Sequence, residues 1–249
     1  MAIFAISNHK GGVGKTTSTV NIGAGFALKG KKVLLIDLDP QANLTQSLGI
    51  KNPEISIYDN LRGEKNIIPI EVKKNLYVLP SSLDLSAAEI ELNAEPGREY
   101  ILRDIISKIK DRFDYILIDC PPSLGLLTIN ALTASNHVII PLQAEFLPLK
   151  GLVKLNDVIE KIKNRLNPAL NIIAVFLTQY DHRKVLNRDV SEMIKDFYGD
   201  KMLESKISSN IALAEAPSQG KDIFLYNKNC KGATDYKQLC EELLEKAGK

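Results

Sequence analysis

The sequence predicts a doubly wound α/β fold, a mostly parallel sheet flanked by helices. Three observations carry that prediction. Short apolar runs rich in β-branched residues recur along the chain, segments with three- and four-residue apolar spacing separate them, and a glycine-rich turn joins the first run to the first such segment.

The strand-like runs fall at residues 3–6, 33–36, 76–79, 115–118, 138–140 and 172–176. Their apolar residues do not alternate with polar ones, the pattern of strands covered on both faces of a parallel sheet. Helical spacing marks residues 16–28, 100–112, 147–166 and 189–198. Residues 51–98 are the least regular, broken by Pro53, Pro69, Pro80 and Pro96, and read as an excursion on the sheet. The last segment, 233–247, places Tyr236, Leu239, Cys240, Leu243 and Leu244 on one helical face, which predicts a helix packed on the core. Its polar face carries Glu241, Glu242 and Glu245, whereas a helix lying on a membrane wants a basic one. No repeat, low-complexity tract or linker divides the chain, so a single domain over residues 1–249 is expected.

With 45% hydrophobic and 25% charged residues, the 249-residue chain has the make-up of a soluble globular protein and not of a disordered one. Its longest apolar runs, such as Val33-Leu34-Leu35-Ile36, are too short to cross a bilayer. The start, Met1-Ala2-Ile3-Phe4-Ala5-Ile6, lacks the basic region and cleavage site of a secretory signal, so a cytoplasmic location is expected. Cys120, Cys230 and Cys240 are scattered, as are His9, His137 and His182, and metal chemistry is therefore expected on oxygen ligands. A formal net charge of +2 does not mark the whole chain as a nucleic-acid binder; such affinity needs a local patch or dimerisation.

Lys10-Gly11-Gly12-Val13-Gly14-Lys15-Thr16-Thr17 follows the first strand and opens the first helix, the context of a phosphate-binding loop. Glycines let successive backbone N–H groups turn toward phosphate oxygens, and the helix N-terminus adds partial positive charge. Lys15 then reaches the β- and γ-phosphates and the Thr16 hydroxyl coordinates Mg²⁺. A dinucleotide fingerprint fits poorly, because Lys15-Thr16-Thr17 follows directly on Gly14.

The second strand ends in Asp37-Leu38-Asp39-Pro40, two carboxylates at the edge of the sheet where α/β proteins bind ligands. The strand at 115–118 delivers Asp119 and breaks at Cys120-Pro121-Pro122-Ser123-Leu124-Gly125. This is a Walker B element, with Asp119 holding a magnesium-bound water and the proline-rich stretch sensing the γ-phosphate. Taken singly, each carboxylate turn reads equally as strand-end punctuation; the three elements in order argue for a nucleotide site. Two lysines, Mg²⁺ and one water-directing carboxylate suffice for phosphoryl transfer, which needs positioning and charge neutralisation.

The pattern Lys-Gly-Gly-x-Gly-Lys-Thr-Thr, with His9 where the usual loop has its first glycine, resembles the deviant Walker A motif of the ParA/MinD/nitrogenase iron-protein ATPases. Three further stretches are similar to chromosomal ParA proteins of the Soj type. They are residues 118–132, Pro141-Leu142-Gln143-Ala144-Glu145, and Leu213-Ala214-Glu215-Ala216-Pro217-Ser218-Gln219-Gly220-Lys221. The resemblance implies that Lys10 is the signature lysine, crossing a homodimer interface to the nucleotide of the partner subunit. It implies that Asp39 positions or activates the attacking water, that Asp37 supports the magnesium shell, and that Asn210 lies near the adenine. It also implies slow, dimer-coupled ATP hydrolysis, nonspecific double-stranded DNA binding in the ATP state, nucleoid association, and a ParB-type centromere-binding partner that stimulates hydrolysis, with no membrane partner.

Arg183, in Asp181-His182-Arg183, matches an arginine of that family's DNA surface, and Lys184, Arg188, Lys206 and Lys221 are candidates to extend it. Each reads equally as part of a solvated face. Ser209 and Ala212 stand where relatives often carry arginines, which weakens the expected DNA complex unless other lysines compensate. Glu145 fits an interface or a sheet edge. The loop lies so near Met1 that no N-terminal helix-turn-helix, and hence no operator binding, is expected. One rival is an ATP-gated positioning protein that docks on a protein or membrane and not on DNA. The other is a metabolic enzyme of the same fold, either an amide-forming ligase or an iron–sulfur reductase, and the scattered cysteines disfavour the reductase.

Overall fold

A computed structural model describes residues 1–144 and 148–248. The first half of the chain forms β1 (Ala2–Ile6), α1 (Lys15–Leu28), β2 (Val33–Asp37), α2 (Asn43–Ser47), α3 (Ile57–Leu61), β3 (Ile70–Lys73), β4 (Leu76–Leu79), α4 (Leu85–Glu91) and α5 (Ile101–Ser107). The second half forms β5 (Tyr115–Asp119), α6 (Leu126–Ala134), β6 (His137–Gln143), α7 (Pro148–Arg165), β7 (Asn171–Thr178), α8 (Val185–Tyr198), α9 (Ile211–Glu215), α10 (Ile223–Asn227) and α11 (Lys231–Ala247).

All seven strands join one sheet in the order β3-β4-β2-β5-β1-β6-β7. Every pairing is parallel except β3 with β4. The sheet is covered on both faces, which explains the unbroken apolar runs. Ile3, Leu34, Ile36, Ile116 and Ile118 point into a core shared with α3 to α8. Their neighbours Phe4, Ile6, Val33, Leu35 and Leu117 point into the opposite core, shared with α1, α10 and α11. There Tyr236, Leu239, Cys240 and Leu243 of α11 are buried, so the apolar stripe of the last helix faces the core as expected. The approach to α1 is close: a methyl group on Gly25 would lie 2.5 Å from Cys240 Sγ. Among the described residues no helix is long and apolar enough to cross a membrane.

The six expected strands are present, and β3 is an addition. Its sequence, Ile70-Glu71-Val72-Lys73, is only partly covered and pairs on one side alone, so it carries no buried run to recognise. Residues 51–98 are accordingly more than an excursion, because β4 pairs directly with β2 and β3 extends the sheet. The helix expected at 100–112 ends at Ser107 and passes into a short 3₁₀ turn at Lys110–Arg112. Helix α8 begins four residues before the expected start, because Val185 and Leu186 of its first turn are exposed and leave no buried periodicity. Residue 147 of the expected helix at 147–166 lies outside the described residues.

Strand register prepares the site. Asp119 pairs with Ile6 on one side and with Asp37 on the other. The ends of β1, β2 and β5 therefore lie side by side at the C-terminal edge, where the winding reverses about β1 and open α/β sheets bind ligands.

Candidate active site

Residues 7–14 leave β1 and fold back onto the N-terminus of α1. Gly12 and Gly14 take φ of 75° and 84°, a region glycine enters without strain. The loop is fastened at both ends. At its entry Asn8 Nδ2 donates to the Pro141 carbonyl at 2.8 Å, while Asn8 Oδ1 accepts the Lys10 N–H at 3.0 Å. At its exit Thr178 Oγ1 donates to the Val13 carbonyl at 2.8 Å and Gln179 Nε2 donates to the Gly12 carbonyl at 2.9 Å. Lys15 is buried, with Nζ donating to the Lys10 carbonyl at 3.2 Å. Burial pushes its pKa down, against the opposing pull of Asp119, Cys120 and Asp39. Lys10 itself is exposed at the mouth of the loop.

The segment after β2 is organised by Asp37. Its Oδ2 accepts the Thr45 N–H at 2.9 Å and the Thr45 hydroxyl at 2.6 Å, and its Oδ1 accepts the Asp39 N–H at 3.2 Å. The Ser81 N–H donates to Thr45 Oγ1 and the Ser81 hydroxyl to the Asp39 carbonyl, which ties the loop after β4 to the same segment. Asp39 is buried, with Oδ1 accepting the Gln41 N–H at 2.9 Å.

Asp119 Oδ1 accepts the Thr19 hydroxyl at 3.2 Å, whereas Oδ2 is buried and has no hydrogen-bond partner among the described residues. A buried, unsatisfied carboxylate oxygen is costly unless something else occupies its lone pairs. Burial first, and the neighbouring Asp37 carboxylate second, push the Asp119 pKa up to about 8, with the Thr16 hydroxyl and Lys15 pulling the other way. Burial likewise raises Asp37 to about 6, against its three hydrogen bonds.

Beyond Gly14 and Thr17 a cleft of about 540 Å³ opens, lined also by Thr178, Gln179, Ser209, Asn210, Ile211 and Tyr236. That size suits a small-molecule site. Larger depressions of about 630 and 800 Å³ lie between α3 and α5, away from the phosphate loop. Asn210 caps α9 by accepting the Ala212 N–H at 3.0 Å.

A family model described as an AAA domain matches residues 1–172. The chromosome-partitioning ATPase Soj of Treponema pallidum is 44% identical over 97% of this chain and 96% of its own length. The chromosome partitioning protein ParA of Caulobacter vibrioides is 43% identical over 99% of this chain and 95% of its own. The chain belongs to the ParA/Soj family of ATPases. Solved structures agree on the fold of this ParA-type chain. Cobyrinic acid a,c-diamide synthase from Mycobacterium smegmatis, with bound ADP and magnesium, superposes with a TM-score of 0.87 at 35% identity, covering 100% of this chain and 97% of that one. The cell division ATPase MinD of Pyrococcus furiosus gives 0.82 at 30% identity, covering 98% of each chain.

Structures of the M. smegmatis synthase hold ADP or an ATP analogue together with magnesium. The residues fit a magnesium ion: Asp119 Oδ2 is a buried carboxylate oxygen left without a hydrogen-bond partner among the described residues, and Thr16 stands beside Asp119 on the first turn of α1. Mg²⁺, when bound, supplies charge neutralisation at the phosphates. Asp37 is engaged mainly with Thr45 and Asp39, so what it does in the ligand-free protein is hold the segment that carries Asp39. Asn8, Thr19, Thr45, Ser81, Thr178 and Gln179 were not legible as site residues, being uncharged and outside any motif. Thr178 ends a buried strand at the ligand-binding edge and Gln179 follows it, a signal that points to them.

Arg188 and Lys206 line a common depression, where Lys206 Nζ stands 4.5 Å from the Tyr180 ring centroid. Arg183 is exposed but paired with Asp181 through two side-chain bonds of 3.0 and 2.9 Å, and Lys184 caps α8 beside it. Lys221 follows Gly220, which packs on Gly49 at the end of α2, and its Nζ donates to Gln219 Oε1 at 3.1 Å. Ala212 is buried and Ser209 lines the cleft beyond Gly14 and Thr17. Glu145 lies outside the described residues.

The raised carboxylates predict a pH effect. An unfolded aspartate titrates near about 3.9, so the native nucleotide-free protein holds more protons than the unfolded chain up to about pH 8, where Asp119 ionises. Stability from this source is complete below the unfolded value and is lost as pH rises through about 8. The melting temperature of nucleotide-free protein is expected to fall between pH 5 and pH 8, and Mg-nucleotide binding near pH 7 to release a proton. Calorimetry in buffers of different ionisation enthalpy measures that release. Asp119→Asn should remove most of the proton release and confine the fall in melting temperature to the part below about pH 6 that Asp37 contributes; a wild-type protein that binds Mg-nucleotide with no proton release would overturn the assignment.

Proposed function

We propose that this ATPase is a partitioning switch. It works as one domain in the cytoplasm, dimerises around two ATP molecules, and binds nonspecific double-stranded DNA of the nucleoid as that dimer. Hydrolysis, stimulated by a ParB-type partner on the cargo, releases the dimer from DNA. Cargo carrying the partner is then drawn toward the dimers that remain.

The observation that carries the reading is the division of labour between two lysines five positions apart. Lys15 is buried within the loop, whereas Lys10 is exposed at its mouth. A cation in the first position serves the nucleotide of its own subunit, and one in the second position is presented outward, toward the nucleotide of a facing subunit. Asp39, held by the Gln41 amide, orients the attacking water. With no arginine in the loop, turnover in isolation is slow, and completion of the site from the second subunit couples hydrolysis to dimer formation.

The names of the relatives at 43% and 44% identity support partitioning. The likeness to the M. smegmatis synthase at 35% identity favours a metabolic reading, which demands faster ADP release in the presence of a second substrate. The positioning alternative predicts the same ATP-driven dimer without DNA affinity.

Sedimentation velocity tests the switch. Wild type is expected to be dimeric in Mg-ATP and monomeric in Mg-ADP. Lys10→Ala should bind ATP within about threefold of wild type, since an exposed group contributes little within its own subunit, and yet remain monomeric. A Lys10→Ala protein that dimerises like wild type would remove Lys10 from the interface.

A further inference from the structure

Leu142 and Gln143 are left without a role by the chemistry described so far, and they meet the phosphate loop through Thr178 and Gln179. The single hydroxyl proton of Thr178 is shared between the Val13 carbonyl, at 2.8 Å from Oγ1, and the Leu142 carbonyl, at 3.2 Å. Gln179 Nε2 donates to the Gly12 carbonyl at 2.9 Å, and Gln143 Nε2 donates to Gln179 Oε1 at 3.0 Å. A carbonyl can only accept, so the atom of Gln179 that faces Gly12 is the amide nitrogen. Its oxygen is thereby left toward Gln143, which is the arrangement observed.

The geometry points to Thr178 and Gln179, with Gln143 behind them, as a clamp that aims the phosphate-binding amides of the loop. A trans peptide is planar, and its C=O and the following N–H point in opposite directions. Drawing the Gly12 carbonyl toward Gln179 turns the Val13 N–H away from β7, into the loop. Drawing the Val13 carbonyl toward Thr178 does the same for the Gly14 N–H. Two successive donors are thus set in the cradle before any phosphate arrives, and their ordering does not subtract from binding.

The backbone supports this assignment. Gln179 takes φ of 50°, a left-handed conformation that is unfavourable for a non-glycine residue. It is exposed, so no packing of its side chain explains the conformation. Strained residues concentrate where a function fixes the geometry. Gln179 and Gln143 are positioning residues, acting on phosphate through the loop backbone.

The clamp rests on ATP binding alone and is independent of the DNA-partitioning reading. Competition against a fluorescent nucleotide measures the affinities of Mg-ATP, Mg-ADP and adenosine for Gln179→Met, Gln179→Asn, Gln143→Met and the Gln143→Met/Gln179→Met double variant. Gln179→Met is expected to weaken Mg-ADP and Mg-ATP about tenfold, the loss of one hydrogen bond and its preorganisation, with adenosine unchanged. Gln179→Asn keeps a residue that tolerates left-handed backbone but is one methylene too short, and should lose as much. Gln143→Met should cost about threefold, and the double variant no more than Gln179→Met, because Gln143 acts through Gln179. An equal loss for adenosine would make Gln179 a nucleoside contact and overturn the clamp. So would unchanged Mg-ADP affinity in both Gln179 variants, or additive losses in the double variant.

Discussion

Replacing Lys15 by alanine is expected to weaken Mg-ATP binding by at least about a hundredfold, the scale of losing charge-assisted hydrogen bonds in a desolvated site, without unfolding the protein. The ammonium is buried with the Lys10 carbonyl as its hydrogen-bond partner, at 3.2 Å, and burial already lowers its pKa. It is thus a cation held in unfavourable surroundings until an anion arrives. Removing it relieves a desolvation cost in the free protein and removes the main counter-charge in the complex. Nucleotide-free melting is expected to stay within a few degrees of wild type while the shift produced by Mg-ATP disappears. Unchanged ATP affinity would overturn the assignment of Lys15 to the phosphates.

Asp39→Ala is expected to cut hydrolysis by about a hundredfold or more, the range of a lost general base or water-orienting group, while Mg-ATP still drives dimerisation. Among the described residues the side chain accepts the Gln41 N–H alone, whereas the Asp39 carbonyl accepts the Ser81 hydroxyl and the Ala42 N–H. Alanine preserves those backbone contacts, so the segment keeps its place and loses one carboxylate. Single-turnover phosphate release checks the rate; normal turnover would take Asp39 out of the reaction.

Much of this architecture is legible in the amino-acid sequence, and the reason is burial. Strands covered on both faces need apolar residues at every position, as β2 and β5 show, and such runs stand out. Strand β3 and the first turn of α8 are exposed or half covered, and a mixture of charged and apolar residues there carries no period. The site divides along similar lines. Glycines, lysines and strand-end aspartates announce phosphate and metal chemistry by residue type. Asn8, Thr45, Ser81, Thr178 and Gln179 act through bonds that only the register of the sheet creates, as Thr178 reaches Val13 across 165 residues. The basic residues are the weakest case, because an exposed lysine looks the same on any solvated face. The structure sets Arg188 and Lys206 on one depression and ties Arg183 to Asp181.

The central claim is that ATP turns this chain into a DNA binder. Fluorescence anisotropy of a random-sequence duplex, titrated at low salt with Mg-ATP in one series and Mg-ADP in the other, tests it most directly. Asp39→Ala serves as the state locked with ATP. Binding confined to ATP, weakening as salt rises and persisting longest in Asp39→Ala, is the predicted result. Failure to bind DNA in either nucleotide, with ATP hydrolysis still measurable, would contradict it and leave a positioning ATPase that docks on another partner.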